Sequence, residues 1–259
     1  MPSQIHSTAI VSPNAEIDDD VIVGPYAVIE DPVTIGPETR IGAHAVIHSH
    51  VKIGRANVIH SHAVIGDLPQ DLTFGDEETW VQIGNGNTFR EGVTVHRSTE
   101  IETPTRIGSD CYLMVNSHVG HGTQLGDGVI LTNHVLLAGH VQVGDRAVFG
   151  GAAAVHQFTR IGTFVMVAGL AAIRQDVIPY TMIGGEPVRH YRLNTVGLRR
   201  AGIKGERYRI LEKAYRALRS GAKELGELPR TPEIELLENW LTAKSKRGIH
   251  GFLQPDDDA

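Results

Sequence analysis

Aliphatic residues return every six positions through most of the chain. Ile5, Val11, Ile17, Val23, Ile29, Ile35, Ile41, Ile47, Ile53, Ile59 and Ile65 keep the step without a slip, and the frame resumes at Ile83 and runs to Ile173, giving twenty-seven in-frame positions. In twelve of these hexads the next residue is Gly. A step of six fits neither the 3.6-residue helical turn nor a heptad, and plain two-residue alternation would not hold a small residue at one fixed phase. Each hexad therefore reads as one short strand and one tight corner, with the aliphatic side chain inward.

Strands of this kind cannot bury their apolar side alone, so they stack into a parallel β-helix of hexapeptide repeats, an all-β solenoid. Three hexads close one triangular coil of 18 residues, and nine coils at about 4.8 Å spacing make a prism about 43 Å long. The solenoid is expected over residues 1–186. Inside it, residues 66–82 keep the frame but place Asp71 and Glu77 where the core needs aliphatics, so this stretch is expected to leave the prism as a loop. Beyond Ile178 and Pro179 the period ends. Tyr208, Leu211, Tyr215 and Leu218 form one helical stripe. Thr231, Pro232 and Glu233 make a helix start ahead of Ile234, Leu237, Trp240 and Leu241. A small helical domain is expected over residues 187–259, capping the open end of the solenoid.

With 41% hydrophobic and 21% charged residues the chain is globular, and no apolar run approaches the roughly 20 residues of a membrane-spanning helix, so no membrane insertion is expected. The first residues, MPSQIH, lack a basic stretch followed by an apolar core, so no export signal is expected. With a single cysteine, Cys111, a cytoplasmic location follows as the expectation. The net charge of −6 argues against a nucleic-acid partner. Yet Glu186 to Lys223 carries 11 Lys and Arg against 3 acidic residues, a local basic face suited to an acidic partner.

Fourteen histidines are many for this length. In an 18-residue coil His44 lies beside His62, Asn116 beside His134 and Gly122 beside His140, which makes His121 a diagonal neighbour of His140. That pair is outside the core, because the inward phase belongs to Val119 and Leu137. Clustered imidazoles suit either a metal site or a general base working near neutral pH. His96, His118 and His121 could form a three-histidine zinc centre like that of the hexapeptide-repeat carbonic anhydrases, a lyase alternative. Those chains lack both the loop around 69–72 and a basic helical tail, and the tail argues for a carrier-protein substrate.

Seven segments carry a closer resemblance: 69–72 (PQDL), 90–97 (REGVTVHR), 116–121 (NSHVGH), 137–141 (LAGHV), 154–158 (AVHQF), 175–180 (QDVIPY) and 194–200 (NTVGLRR). In that order they resemble the UDP-N-acetylglucosamine acyltransferases, which open lipid A synthesis, and the likeness covers essentially the whole chain. It implies a left-handed β-helix, a homotrimer with sites between adjacent subunits, and transfer of an acyl group, 3-hydroxyacyl by the likeness, from acyl carrier protein to the 3-position of UDP-N-acetylglucosamine. No cofactor or metal is implied beyond the 4'-phosphopantetheine that the carrier brings. His121 matches the general base and the Gly139 amide the group that steadies the oxyanion, with His140 beside them. Gln70, Asp71, His96, His118, His156, Gln157, Asn194 and Arg200 match substrate-binding positions. Gly169 matches the position that sets acyl-chain length, a glycine there admitting about twelve carbons or more. The basic residues Arg189, Arg192, Arg199, Lys204, Arg207 and Arg209, with Arg200, are expected to dock the acidic carrier protein.

The chain also departs from that pattern. Where the family commonly has Asp after the catalytic His, this sequence has Gly122, so the dyad is missing, and His140 or a backbone carbonyl is expected to orient His121 instead. Val196 stands where an acid and Ala201 where a second Arg are often found. Acylation of a 3-amino UDP-sugar on nitrogen is therefore kept as an alternative.

Overall fold

The computed structural model describes residues 2–222 and 224–254; Lys223 and residues 255–259, counted above with the basic stretch and the helical region, lie outside the described residues. Between Gln4 and Ile173, 26 strands of two to four residues follow one another, and every third one pairs in parallel to build three faces of a prism. The first face begins at Gln4–Ile5, the second at Ile10–Val11 and the third at Glu16–Ile17. The inward aliphatics stack in columns: Val23, Ile29, Ile35, Ile47, Ile65, Leu113, Leu137 and Val167 are each at most 2% exposed. Burying each such side chain contributes roughly 1.5–3 kcal/mol, which is what outweighs the ordering of so many short strands. The first coil has nothing beneath it, and Ile5 is 46% exposed there.

Two separate demands shape the corners. The residue directly after the inward aliphatic is held against the next coil: a Cβ on Gly36 would lie 2.8 Å from the Gly54 carbonyl carbon, and one on Gly84 would lie 2.7 Å from the Gly108 carbonyl oxygen. Glycine is used there for close approach, not for its backbone freedom. The left-handed turn falls two residues later, at Tyr26, His44, His62, Asn116, His134 and His140, all with φ between +56° and +62°. Stacking at this phase produces the column Tyr26, His44 and His62, with ring centroids 5.0 and 5.1 Å apart, in the register expected of an 18-residue coil.

The 18-residue register is broken by two insertions and, in the last coil, by a shortening to 16, where Met166 pairs with Met182 and Ile161 bridges Val177. Val58 pairs with Thr88, an offset of 30, and Thr88 pairs with Tyr112, an offset of 24. The first excess is the expected loop, although the strand Val64–Asp67 runs slightly into it and the third face resumes at Val81–Ile83. The second, over residues 97–104, was not expected, because Ile101 keeps the six-residue frame. Ile101 is nevertheless 61% exposed, outside the core. Nine coils still result, since Val177, which the frame does not predict, bridges Ile161 and fills the last third-face position.

The outer surfaces of the three faces differ. The third face points Glu16, Thr34, Lys52, Gln82, Arg106, Gln124, Gln142 and Arg160 outward. The second points Ile10, Val28, Val46, Val64, Leu136 and Ala154 outward, and the first Ile22, Val58, Tyr112, Ile130, Val148 and Met166. The third face is thus polar outside, whereas the first two are mainly apolar, with Gln4, Arg40 and Thr88 the polar exceptions on the first and Thr94 and His118 on the second.

After Ile173 the chain adds Thr181–Gly184 to the first face and folds back antiparallel through Arg189–Leu193, a pairing the sequence reading did not anticipate. Helices follow at Thr195–Arg200 (α1), Glu206–Arg219 (α2) and Pro232–Thr242 (α3). The Thr231 hydroxyl caps α3, accepting from the Ile234 amide at 3.3 Å, and Ile234, Leu237, Leu211 and Leu218 bury their side chains against Ile178 and Tyr180 at the end of the solenoid. His250 returns to that end, its Nε2 accepting from the amides of Arg174 and Gln175. No helix among the described residues is long and apolar enough to cross a membrane.

Candidate active site

Both extra loops leave the prism at the corner between the second and third faces, in the two coils directly before the one that carries His121. The corner below His121 is thereby opened. An ordinary corner amide at the left-handed position donates to the coil below, as His140 does to the His121 carbonyl at 2.8 Å; Gly122 donates instead to the Thr105 hydroxyl at 2.8 Å. Above the opening lies a cleft of about 730 Å³ lined by Gln70, His118, His121, Leu136, Gly139 and Gln157, among others.

His121 is 9% exposed and its Nε2 faces Gly139: a Cβ on Gly139 would lie 2.6 Å from His121 Cε1 and 2.7 Å from Cδ2. The missing side chain is thus the room in which the imidazole lies. It has a second effect on the backbone. At the corner between the third and first faces, the amides of Arg55, Asn85, Ser109 and Asp127 are each taken by a side-chain oxygen one coil on, from Asn85, Ser109, Asp127 and Asp145, at 2.7–3.1 Å. The equivalent residues in the site corner are His121, Gly139 and Gln157, and among the described residues the Gly139 amide donates to no protein acceptor. An unclaimed N–H therefore lies beside a histidine nitrogen in one cleft.

The loop of residues 68–80 brings Asp71 to this pair. Asp71 Oδ1 accepts from the amide and hydroxyl of Thr73 at 2.9 and 2.8 Å, which holds its carboxyl below the usual range, and Oδ2 lies 3.9 Å from His121 Nε2. Burial lowers the His121 pKa, the neighbouring His140 and His96 act in the same sense, and Asp71 opposes them. The net result is an imidazole neutral near pH 7, free to take a proton. His118 is pushed down to about 4, chiefly by burial, and its Nδ1 is 2.8 Å from the Thr94 hydroxyl. His96 donates from Nδ1 to the Leu68 carbonyl at 2.6 Å, fastening the base of the same loop. The His96 and His118 rings meet at 5.2 Å, and among the described residues of one chain no three His, Cys, Asp or Glu side chains converge as metal ligands.

Gln70 and Gln157 line the cleft, and His156 is exposed beside it, its Nδ1 3.3 Å from the Gln157 carbonyl. Asn194 lies away from it and works as the cap of α1: its side chain accepts from the Gly197 amide and donates to the Phe164 carbonyl. Arg199, Arg200 and Lys204 are exposed at and after the end of α1, and Arg192 is exposed with its guanidinium on Met182. Arg189 donates to the adjacent Val188 carbonyl and Arg209 lies 3.8 Å from Glu206. Arg207 is bound to Glu233, a residue only 4% exposed, and so fixes α2 to α3. Gly169 has no left-handed φ, and a Cβ there would lie 3.3 Å from the Gly151 carbonyl oxygen, 3.6 Å from the Gly151 nitrogen and 3.9 Å from the Gly150 carbonyl carbon. Sequence reading missed Thr94, Thr99, Thr105, Phe158 and Lys246 near the site. Phe158 could have been found, since it lies one 18-residue step beyond His140.

A solenoid of hexads carrying a histidine and a free amide in a surface cleft has the make-up of a hexapeptide-repeat transferase. Residues 32–67 and 104–139 match the bacterial transferase hexapeptide (six repeats) family, and residues 176–250 match the second domain of the UDP-N-acetylglucosamine O-acyltransferases. The acyl-[acyl-carrier-protein]–UDP-N-acetylglucosamine O-acyltransferase of Burkholderia orbicola (strain MC0-3) is 43% identical over 226 residues, 87% of this chain and 86% of that protein. The UDP-N-acetylglucosamine O-acyltransferase structure from Moraxella catarrhalis RH4 superposes with a TM-score of 0.90 at 39% identity, covering 95% of this chain and 99% of that one. The Francisella novicida UDP-N-acetylglucosamine acyltransferase gives a TM-score of 0.90 at 32% identity, covering 98% and 96%. The chain belongs to the UDP-N-acetylglucosamine O-acyltransferase family.

Proposed function

We propose that the protein transfers an acyl group from acyl carrier protein to the 3-hydroxyl of UDP-N-acetylglucosamine, with His121 as general base, as a homotrimer in the cytoplasm and as the first step of lipid A synthesis. The observation that carries this reading is the pairing of the neutral His121 imidazole with the unclaimed Gly139 amide in one cleft. His121 Nε2 removes the proton from the sugar hydroxyl as its oxygen attacks the thioester carbonyl. The Gly139 N–H donates to the oxyanion that forms, where removal of a single donor costs about 10²–10³ in rate. As the C–O bond forms and the C–S bond breaks, the proton passes from His121 to the departing thiol. Asp71, Gln70, His118, His156 and Gln157 orient the sugar and the carrier's pantetheine, and His96 holds the loop that bears Asp71.

The two mainly apolar outer faces support the homotrimer: the cleft opens on the second face, around Leu136 and Ala154, so a neighbouring copy packed on that face closes it. Arg199, Arg200 and Lys204, with Arg192 and Arg209, dock the acidic carrier, whereas Arg207 serves the fold through Glu233. The division into a solenoid of residues 1–186 and a helical domain of 187–259 follows the same logic, one part building the cleft and the other receiving the carrier. His121→Ala tests the mechanism. Transfer should fall by about 10²- to 10⁴-fold with the trimer intact, because a general base is lost and no core side chain is; activity within a few-fold of the parent protein would exclude His121 as base.

A further inference from the structure

Gly122 has a φ of +66°, and its missing side chain leaves space that another residue fills. A Cβ at 122 would lie 2.6 Å from His140 Nδ1 and 2.8 Å from Cε1, so a side chain at 122 and His140 in its present place exclude one another. His140 is fixed from two further directions. Its Nε2 lies 3.3 Å from the Thr99 hydroxyl, on the loop the six-residue frame did not reveal, and its ring stacks on Phe158 with centroids 4.8 Å apart and planes 8° from parallel. The Lys246 ammonium is 4.2 Å from the centre of the Phe158 ring. On the side toward the cleft, the His140 ring meets the His121 ring at 5.1 Å and 79°. Among the described residues the His121 ring makes no hydrogen bond, and its one acidic neighbour is Asp71 at 3.9 Å.

An imidazole without a hydrogen-bonded orienting group is held by packing. From this column of contacts we infer that Phe158 and Lys246 are positioning residues for His121, acting through the packed ring of His140. The inference rests on the proposed role of His121 as base. It links the segment after α3, which carries Lys246, to the reacting centre through one stacked ring. The column also sets the charge around the two imidazoles. Lys246 disfavours a proton on His140, Glu100 and Asp71 favour one, and His121 in turn faces His140, His96 and Asp71.

The test is steady-state kinetics of the full chain across pH, with acyl carrier protein and UDP-N-acetylglucosamine as substrates. Phe158→Asn keeps a residue tolerant of the left-handed φ of +63° at this corner and removes the ring. It should lower kcat by roughly tenfold while both KM values stay within about twofold, the scale expected when a reacting group is misplaced by a fraction of an ångström. Phe158→Tyr should keep at least about half the parent kcat, since the stacking surface remains. Lys246→Met, an exposed change that leaves folding intact, should move the acid limb of the kcat/KM profile to higher pH, since His140, the ring packed on His121, loses a repelling cation. Phe158→Asn placed on His121→Ala should cost nothing further, as expected of residues acting in one unit. If His121→Ala is inactive but Phe158→Asn keeps its kcat within twofold, or if Lys246→Met leaves the acid limb in place, the positioning role is wrong while the base survives. If His121→Ala stays active, the base assignment fails first.

Discussion

Replacing Gly139 by alanine separates the two roles proposed for this residue, oxyanion donor and room for His121, because alanine keeps the backbone N–H and adds only a methyl group. The backbone at 139 has ordinary angles, so the change introduces no conformational strain. The methyl would lie 2.6 Å from His121 Cε1, 2.7 Å from Cδ2 and closer still to Nε2, whereas ordinary contact begins near 3.4 Å, so the ring must retreat by about 0.8 Å or more. A displacement of about 1 Å at a reacting group can cost on the order of 10² in rate. Gly139→Ala should therefore lower kcat by about 10²-fold with KM for UDP-N-acetylglucosamine changed only a few-fold, although the oxyanion donor is still present. The assay is steady-state transfer from a defined acyl carrier substrate, with the assembly checked by size-exclusion chromatography with light scattering. A kcat within threefold of the parent would mean that His121 does not use the position seen here and that the amide alone carries the function of Gly139.

Gly169→Met should shift preference to shorter acyl carriers, because the added side chain starts 3.3 Å from the Gly151 carbonyl without backbone strain and fills space for several methylenes, each contributing about 0.8 kcal/mol when buried; an unchanged donor ranking would remove Gly169 as the ruler. Reversing Arg199 and Lys204 to Glu should raise KM for the acyl carrier several-fold at low salt and leave that for the nucleotide sugar nearly unchanged, an effect that added salt erases; equal shifts in both would refute the docking surface. Acid stability reads out the end of the solenoid. His190 is buried and neutral, its Nε2 accepting from the Ile178 amide and its Nδ1 donating to the His250 carbonyl, and burial pushes its pKa to about 4. Since this folded value lies below the unfolded 6.5, its contribution, about 3 kcal/mol, is complete above pH 6.5 and fades as pH falls toward 4. Tm should drop over that window, and the drop should flatten in His190→Asn; equal pH dependence in both proteins would contradict it.

The six-residue period made the prism legible because each inward position is one side chain in one column, and a single polar residue there would stand out. The same regularity hid the loop at 97–104. Ile101 satisfies the period by residue type, and only pairing across coils, Thr88 with Tyr112, reveals that it has left the core. The glycines marked the corners correctly for a different reason than backbone freedom: they stack on the next coil, while histidine, tyrosine and asparagine take the left-handed position. His121 beside His140 followed from counting residues around a coil, and so could Phe158 have done. Asp71 at His121 could not, since the path of a 13-residue excursion is set by contacts at its base, such as Arg97 with Asp67 and His96 with Leu68. Lys246 reaches the column from a segment 88 positions past Phe158, where no periodicity connects the two.

Mass spectrometry of the product formed from UDP-N-acetylglucosamine and a mixed pool of acyl carrier proteins tests the central claim most directly. The account predicts a UDP-sugar heavier by one acyl group, joined as a base-labile ester at the 3-position, with chains of about twelve carbons or more dominating the pool, and product from His121→Ala lower by about 10²- to 10⁴-fold. An acyl group joined as a base-stable amide to a 3-amino sugar, with UDP-N-acetylglucosamine left unmodified, would contradict it.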